Sequence, residues 1–352
     1  MPDADASPES RILINEVAIA PDLRMDVLEV MVAQHVEGGD LFDITINALN
    51  SENQQIKWID SRDFTPGNRI EIQCGYRGNL TSVLAGEITA LKACYGSDQP
   101  PVVKLQGFDR LHRLRRGKKT RAFTEIKDSQ IAERIAGELG LTAETEDTGI
   151  VHPYLLQNNL SDIDFLLMRA RRIRYEVLIA GNKLTFHSAR NNLGETLSLE
   201  YPRDLKWFQP RLTTADLTSE VTVRGWNPAS KEAILGVARG GDETTLMGGR
   251  QAGPALASAA FGASAGAIVE LPVASQAEAD QIAKAVYNEM ALGLICGDGE
   301  AVGNAKLAPG TTVRLSGLGA RFSGLYYVRR AEHRVAPKTG YVTKFHVVRN
   351  AS

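Results

Sequence analysis

Seven of the twelve residues from Arg110 to Arg121 are basic, the sharpest concentration of charge in the chain. Such a run could hold phosphate backbones by charge alone. It lacks the interleaved aromatic rings on which single-strand binders stack bases. The same charges serve equally as a solvated face, or as a surface for acids of a partner or of this chain. A second cluster, Arg169, Arg171, Arg172 and Arg174, is open to the same readings. The six histidines never stand at metal-ligand spacing. Cys74, Cys94 and Cys296 are too few and too scattered for a zinc site or a disulfide framework. GxSxG, HExxH and P-loop patterns are absent. Gly317, Gly319 and Gly324 lie among strands and lead into no helix, so they read as turns or bulges rather than a phosphate cradle. No catalytic, cofactor-binding or metal-binding residue is assigned, and the chain is expected not to be an enzyme.

The elements that carry these residues are mainly strands. Within 352 residues, 43% hydrophobic content allows two or three domains with a full core. A formal charge of −2 predicts no global attraction to nucleic acid or anionic membrane. No apolar run approaches the length of a bilayer span. Residues 1–10 are polar and acidic, which predicts a disordered tail rather than a leader. Isolated cysteines fit a reducing cytoplasm. Leu28, Val30, Val32 and Val36 alternate on one strand face, and Phe42, Ile44 and Ile46 follow after Gly38-Gly39. Further strands are expected around Ile70–Ile72, Leu84–Ile88 and Val102–Gln106.

The C-terminal run repeats this grammar. Thr65-Pro66-Gly67-Asn68-Arg69-Ile70-Glu71-Ile72 reads like Ala308-Pro309-Gly310-Thr311-Thr312-Val313-Arg314-Leu315, about 240 residues later. Each is followed by a glycine (Gly75, Gly317), a strand beginning near a glycine (Gly86, Gly324) and a closing strand. The spacing predicts two copies of one β domain. Between them, Asp128–Leu139 and Ser161–Ile173 read as helices, and Tyr175–Phe186 as a hairpin turning at Ala180-Gly181-Asn182. Ser275 and Glu278 open another helix with a capping-box pattern. Residues 236–266 have no sustained period and read as a loop, either mobile or ordered against a neighbour. The division expected is a tail over 1–10, a first domain over 11–114, an α+β insert over 115–200, a second domain over 201–227 and 306–352, and an insertion over 228–305.

In combination these stretches resemble a known family, the baseplate hubs of contractile injection systems. The nearest relatives resembled are phage late control protein D and the hub portion of the type VI spike protein VgrG. The matching stretches are Gly107-Phe108-Asp109-Arg110-Leu111-His112-Arg113-Leu114, the helix from Asp128 to Leu141, Asn159 to Leu166 with Arg169 and Tyr175, and Leu307 to Gly324 with Tyr326, His333 and Gly340-Tyr341-Val342-Thr343. The resemblance implies a mainly β fold with α+β inserts, in which two tandem tube-like antiparallel β-barrel domains form a trimeric, pseudo-hexameric ring. It implies a structural role in adapting a trimeric spike to the six-fold inner tube and nucleating that tube. The implied partners are two further copies of the chain, the inner tube protein, wedge proteins and, because the chain stops at Ser352 after the second β domain, a separate spike protein. No nucleic acid and no membrane insertion are expected, and assembly would occur in the cytoplasm before incorporation into a particle. The expected interface residues are Phe42, Ile44, Glu87, Leu325 and Tyr327 on the strands, with Arg115, Arg116, Lys118 and Lys119 at the basic junction. The alternatives are a nucleic-acid-binding protein using Arg110–Arg121 and, more remotely, a cell-envelope-acting enzyme.

Overall fold

A computed structural model describes residues 7–50, 52–227 and 230–352. The first six residues of the expected tail lie outside the described residues. Its last three belong to a strand, β1 (Pro8–Ile14). After β2 (Val17–Ala18) and the short helix α1 (Pro21–Asp26) come β3 (Val27–His35) and β4 (Leu41–Asn47), then β5 (Arg69–Tyr76), β6 (Asn79–Cys94) and β7 (Val102–Asp109). The insert holds β8 (Lys119–Ile126), α2 (Asp128–Glu138), β9 (Thr142–Thr145), β10 (His152–Leu160), α3 (Asp162–Arg172), β11 (Tyr175–Ala180) and β12 (Lys183–Ser188). There follow β13 (Leu197–Glu200), β14 (Leu205–Leu212), β15 (Glu220–Asn227), β16 (Glu232–Arg239), α4 (Gly253–Phe261), β17 (Ala265–Ile268) and α5 (Gln276–Ala291). The chain closes with β18 (Ile295–Val302), β19 (Thr312–Ser316), the short α6 (Gly319–Phe322), β20 (Gly324–Ala336) and β21 (Gly340–Arg349).

One 13-stranded sheet contains two copies of a six-stranded unit. The first runs β3-β4-β7-β6-β5-β1 and the second β14-β18-β21-β20-β19-β13, with the same connectivity. The β1–β5 pair is antiparallel and the corresponding β13–β19 pair is parallel. The copies agree at two irregularities, while a further slip at Val83 in β6 belongs to the first copy alone. The ladder slips at Thr89 in β6 and at Arg329 in β20, and at Leu28 in β3 and at Lys206 in β14. Bulges re-aim a strand at a fixed place, so their coincidence fixes the equivalence residue by residue. Gly67 N–H donates to Ile88 C=O (2.8 Å) and Gly310 N–H to Val328 C=O (3.0 Å), while Ile88 and Val328 N–H donate back to Asn68 and Thr311. The Pro-Gly turns are therefore the same turn. The pairing of Gly86 with Gly324 is two residues out of register: Gly86 corresponds to Tyr326, and its own α-carbon must stay bare because a Cβ would lie 2.2 Å from Phe108 O.

The two copies are joined edge to edge, since β20 pairs with β3. Three segments stand elsewhere than the sequence division put them. β18 and β13 belong to the large sheet, whereas β15 leaves it to form a separate three-stranded sheet with β16 and β17. The glycines that hide β18 in the sequence leave room for rings: a Cβ on Gly297 would meet Phe208 at 2.7 Å, and one on Gly299 would meet Phe345 at 2.6 Å. Residues 236–266, expected as a loop, contain the end of β16, the helix α4 and the start of β17. Met247 and Ala252 there are buried, and Gly253 packs against Leu217 and Leu294 too closely to admit a side chain. Small residues with no period pack here because backbone, rather than side chain, makes the contact.

The helices form where the pattern predicts. Ser161 accepts from Asp164 N–H and Ser275 from Glu278 N–H, each capping its helix. Glu278 does not close the reciprocal half of the capping box; its carboxylate accepts instead from Ala274 N–H (2.9 Å).

Candidate functional site

The fully buried His333 ties the two copies together. It sits on β20, facing Val32 of β3 across the joint. Its Nδ1 lies 2.9 Å from Tyr341 Oη and 3.2 Å from Thr343 Oγ1, both on β21. Its Nε2 lies 3.2 Å from Gln34 Oε1 on β3. Gln34 Nε2 donates to Val83 C=O on β6 (2.8 Å), which fixes its amide and makes Oε1 the acceptor. His333 therefore donates from Nε2 and accepts at Nδ1, as a neutral ring. Burial pushes its pKa down to about 4, which agrees. Tyr341 belongs to the core of the first copy though it comes from the second, and a Cβ on Gly303 would strike its ring. The His333 and Gly340-Tyr341-Val342-Thr343 pattern is thus the clasp between the copies.

Asp109 does the corresponding work where the first copy enters the insert. Its carboxylate accepts from Asp40 N–H (2.8 Å) and Leu111 N–H (2.9 Å). Leu111 and Leu114 then bury in the core of the insert. Burial pushes Asp109 up to about 7, helped by the Asp40 carboxyl, and pushes Asp40 up to about 6. A carboxyl whose folded value exceeds its unfolded one stabilises the fold below the unfolded value and loses that contribution as pH rises through the folded one. Replacing Asp40 with Asn removes the like charge beside Asp109. The melting temperature of Asp40→Asn relative to the natural chain is expected to rise steadily between pH 5 and pH 8. A difference that stays flat across that range counts against the coupled pair.

The basic run is largely committed inside the chain. Arg113 and His112 pair with Glu87 at 2.6 and 2.8 Å. Burial alone would raise the Glu87 pKa, but their hydrogen bonds outweigh it and hold it below the usual range. Lys119 and Arg121 grip Asp162 at 2.6 and 2.9 Å and also reach Glu138, while Arg110 donates to Asn182. The side chains of Arg115, Arg116 and Lys118 are exposed and make no hydrogen bond or ion pair among the described residues, although the Arg115 charge is felt by Asp109.

The second arginine cluster is spent inside the chain, Arg169 within the insert and the other three on joining units. Arg169 is buried and holds Asp128 with two bonds, 2.6 and 3.0 Å, and His152 adds a third contact at 3.1 Å. Arg172 reaches Glu278 of α5 (3.3 Å) and Pro272 C=O (2.8 Å). Arg171 pairs with Glu37 just beyond β3 (2.9 Å), and Arg174 with Glu289 of α5 (3.5 Å). Burial raises Glu176 to about 7, and Tyr327 on β20 donates to it. One helix, α3, therefore locks the insert to the first copy and to α5.

The expected interface residues divide accordingly. Arg115, Arg116 and Lys118 are exposed; Lys119 is exposed too but engaged with Asp162 and Glu138. Phe42, Ile44 and Tyr327 are core residues, at most 1% exposed, and Glu87 is buried at 3%. Leu325 is half-buried against Tyr327 and Val348. Phe42, Ile44, Glu87 and Tyr327 therefore offer almost no surface to a neighbour, whereas Leu325 keeps part of its surface open. Phe42 and Ile44 stand on the face turned into the core of the first copy, whereas Glu87 and Tyr327 stand on the opposite face and are covered there by His112 and Arg113 and by Glu176. Sequence reasoning missed His333 and Gln34 as a joint, although the H…GY.T pattern was the available signal. Among the described residues no His, Cys, Asp and Glu converge as a metal site, and no helix is long and apolar enough to cross a membrane.

Residues 6–337 match the family described as the Alg8 N-terminal domain. The chain belongs to that family. No curated protein sequence gives a significant match. Among solved structures, this member of the Alg8 N-terminal domain family is similar to the 43 kDa tail protein of prophage MuSo2 from Shewanella oneidensis. That match has a TM-score of 0.71 and 13% identity, covering 97% of this chain and 98% of that one. It is also similar to a tail protein from Neisseria meningitidis MC58, with TM-score 0.69, 11% identity, and 97% and 96% covered. A third similar structure is the Escherichia coli c3393 protein, a type VI secretion component described as resembling bacteriophage T4 tail proteins gp27 and gp5. Its TM-score is 0.61, with 12% identity, and 93% and 74% covered. At these identities the likeness is one of fold, a fold the Alg8 N-terminal domain shares with tail proteins.

Proposed function

We propose that this chain is the structural hub of a contractile injection apparatus, a phage tail or a phage-tail-like device. In this reading it adapts a trimeric spike to the six-fold inner tube and nucleates that tube. The observation that carries it is the duplication: two copies of one six-stranded unit, sharing two bulges at equivalent places, joined edge to edge in one chain. A chain with two equivalent units presents six positions to a six-fold partner when three chains associate, while its unequal inserts present three. That is a symmetry adaptor built from one polypeptide. The fold shared with tail proteins and a type VI component supports the same reading. Wedge proteins are the further partners, and the hub acts by shape, without catalysis. The nucleic-acid alternative loses support because four of the seven basic residues are bonded within the chain.

Light scattering of the purified chain is expected to give three times the chain mass, and heavier complexes once the tube and spike proteins are added. Electron microscopy should then show tubes growing from one face of the particle. A stable monomer in every mixture overturns the hub reading.

A further inference from the structure

The joint inside the chain has a counterpart that the chain leaves open. In the joint, β20 runs antiparallel to β3, with Arg330 opposite His35 and Val335 opposite Val30. By the coincident bulges, β6 corresponds to β20 and β14 to β3. The far half of β6, beyond Ile88, pairs only with β7, and β14 pairs only with β18, so each has an edge without a backbone partner among the described residues. Val36 N–H donates to Arg329 C=O, which shows that every second residue of β3, including Val32, turns its backbone toward β20. The same parity turns the backbone of Leu91 and Ala93 outward on β6, and that of Phe208, Pro210 and Leu212 outward on β14. Pro210 fits this strand because its missing N–H faces the open edge.

We infer that β6 of one copy of this chain pairs with β14 of the next, in the register of the internal joint. Leu91 then faces Leu212, Ala93 faces Pro210, and Tyr95 faces Phe208, all on the side where Ala331 and His333 bury against β3. Leu91, Tyr95 and Leu212 are 36, 67 and 37% exposed in the single chain, while Ala331 and His333 are 0% exposed. Apolar side chains along an unpaired strand edge are a template for association, and here the two halves of the template are complementary. The contact is head to tail, so repeating it builds a ring where the rotation per copy closes, and the hub reading sets that closure at three copies. The inference deepens the hub reading and rests on it only for the number of chains in that ring. On the opposite side of the sheet the register sets Cys94 against Gln209 and Lys92 against Arg211. The second pair is like-charged, so Arg211→Glu is expected to tighten assembly.

The register gives a direct test. Cys94 and residue 209 would be a non-hydrogen-bonded pair with Cα atoms about 4.5 Å apart, within reach of a disulfide. Under mild oxidant, Gln209→Cys is expected to cross-link to the natural Cys94 and run as covalent oligomers up to a trimer on a non-reducing gel. The bands should vanish in Gln209→Cys/Cys94→Ser, and Arg211→Cys, two residues out of register, should stay monomeric on the gel. Independently, Ala93→Pro removes an outward N–H, the one donor left at the pair with Pro210, so it should abolish the trimer in light scattering while leaving circular dichroism unchanged. If the natural chain is a trimer but Gln209→Cys does not cross-link and Ala93→Pro still assembles, the strand pairing is overturned and the hub reading stands. If the natural chain is monomeric with tube and spike proteins present and Gln209→Cys gives no bands, both fall.

Discussion

Replacing Arg169 with Met is expected to cost about 3–5 kcal/mol, because it leaves the Asp128 carboxylate buried without its bidentate partner. Asp128 is 2% exposed and its two oxygens already receive Arg169 at 2.6 and 3.0 Å. Burial alone would raise its pKa, but the hydrogen bonds from His152 and Arg169 outweigh burial and hold it below the usual carboxylate range. An acid held low stabilises the fold above its unfolded pKa and loses that contribution as pH falls through the folded one. The gap between Arg169→Met and the natural chain, read by urea unfolding at pH 7, should therefore narrow as pH falls below about 4. The double variant Asp128→Asn/Arg169→Met removes the stranded charge and should recover much of the loss. Hydrogen exchange should place the damage in α2 and α3, whose apolar faces share one core. A single variant within about 0.5 kcal/mol of the natural chain, the range of an inert surface change, would show that the pair holds nothing together.

The second large effect is expected at His333. Truncation to Ala opens a void in a fully buried site and takes the ring nitrogens away from Gln34 Oε1 and Tyr341 Oη, at a cost of about 3 kcal/mol or more. The pH signature is distinct from that of Asp128. A base whose folded pKa is depressed contributes stability above its unfolded value, here 6.5, and loses it as pH falls toward about 4. That window corresponds to about 3 kcal/mol for a full shift. The natural chain should lose stability between pH 6.5 and pH 4 more steeply than His333→Phe, which carries nothing to protonate. Amide exchange at Met31–Gln34 and Glu332–Arg334 should accelerate in the Ala variant before other parts of the sheet. Equal acid slopes in the two proteins would mean that the ring is not held neutral by its burial.

How far this fold could be read from residues alone differs by element. The Pro66-Gly67 and Pro309-Gly310 turns were legible because a turn needs particular residues whatever surrounds it, and their backbone bonds are the same in both copies. The sheet cores were not, because only the sum of two side chains across a ladder is constrained. In the first copy Phe42 lies against Gly107, where a Cβ would meet its ring at 2.6 Å. In the second, Gly297 stands where Phe42 does, opposite Val347, so large and small have changed sides and the resemblance fades. The arginines show the same limit. Their number was plain, but whether Arg169 and Arg172 face solvent or an acid depends on Asp128 and Glu278, which lie 41 and 106 residues away.

The sequence by itself determined the mainly β character, the α2, α3 and α5 helices, the last two with their serine caps, and the presence of a repeated unit. These follow from period, capping and turn chemistry, which act over a few residues. Only the tertiary structure decided which strands belong to which sheet, that β15 leaves the large sheet and β18 enters it, and that Phe42, Ile44, Glu87 and Tyr327 are buried. Strand partnership is set by backbone bonds between distant segments, and those bonds carry no side-chain code. It also decided that His333 is a clasp, because a histidine's role depends on what closes around it.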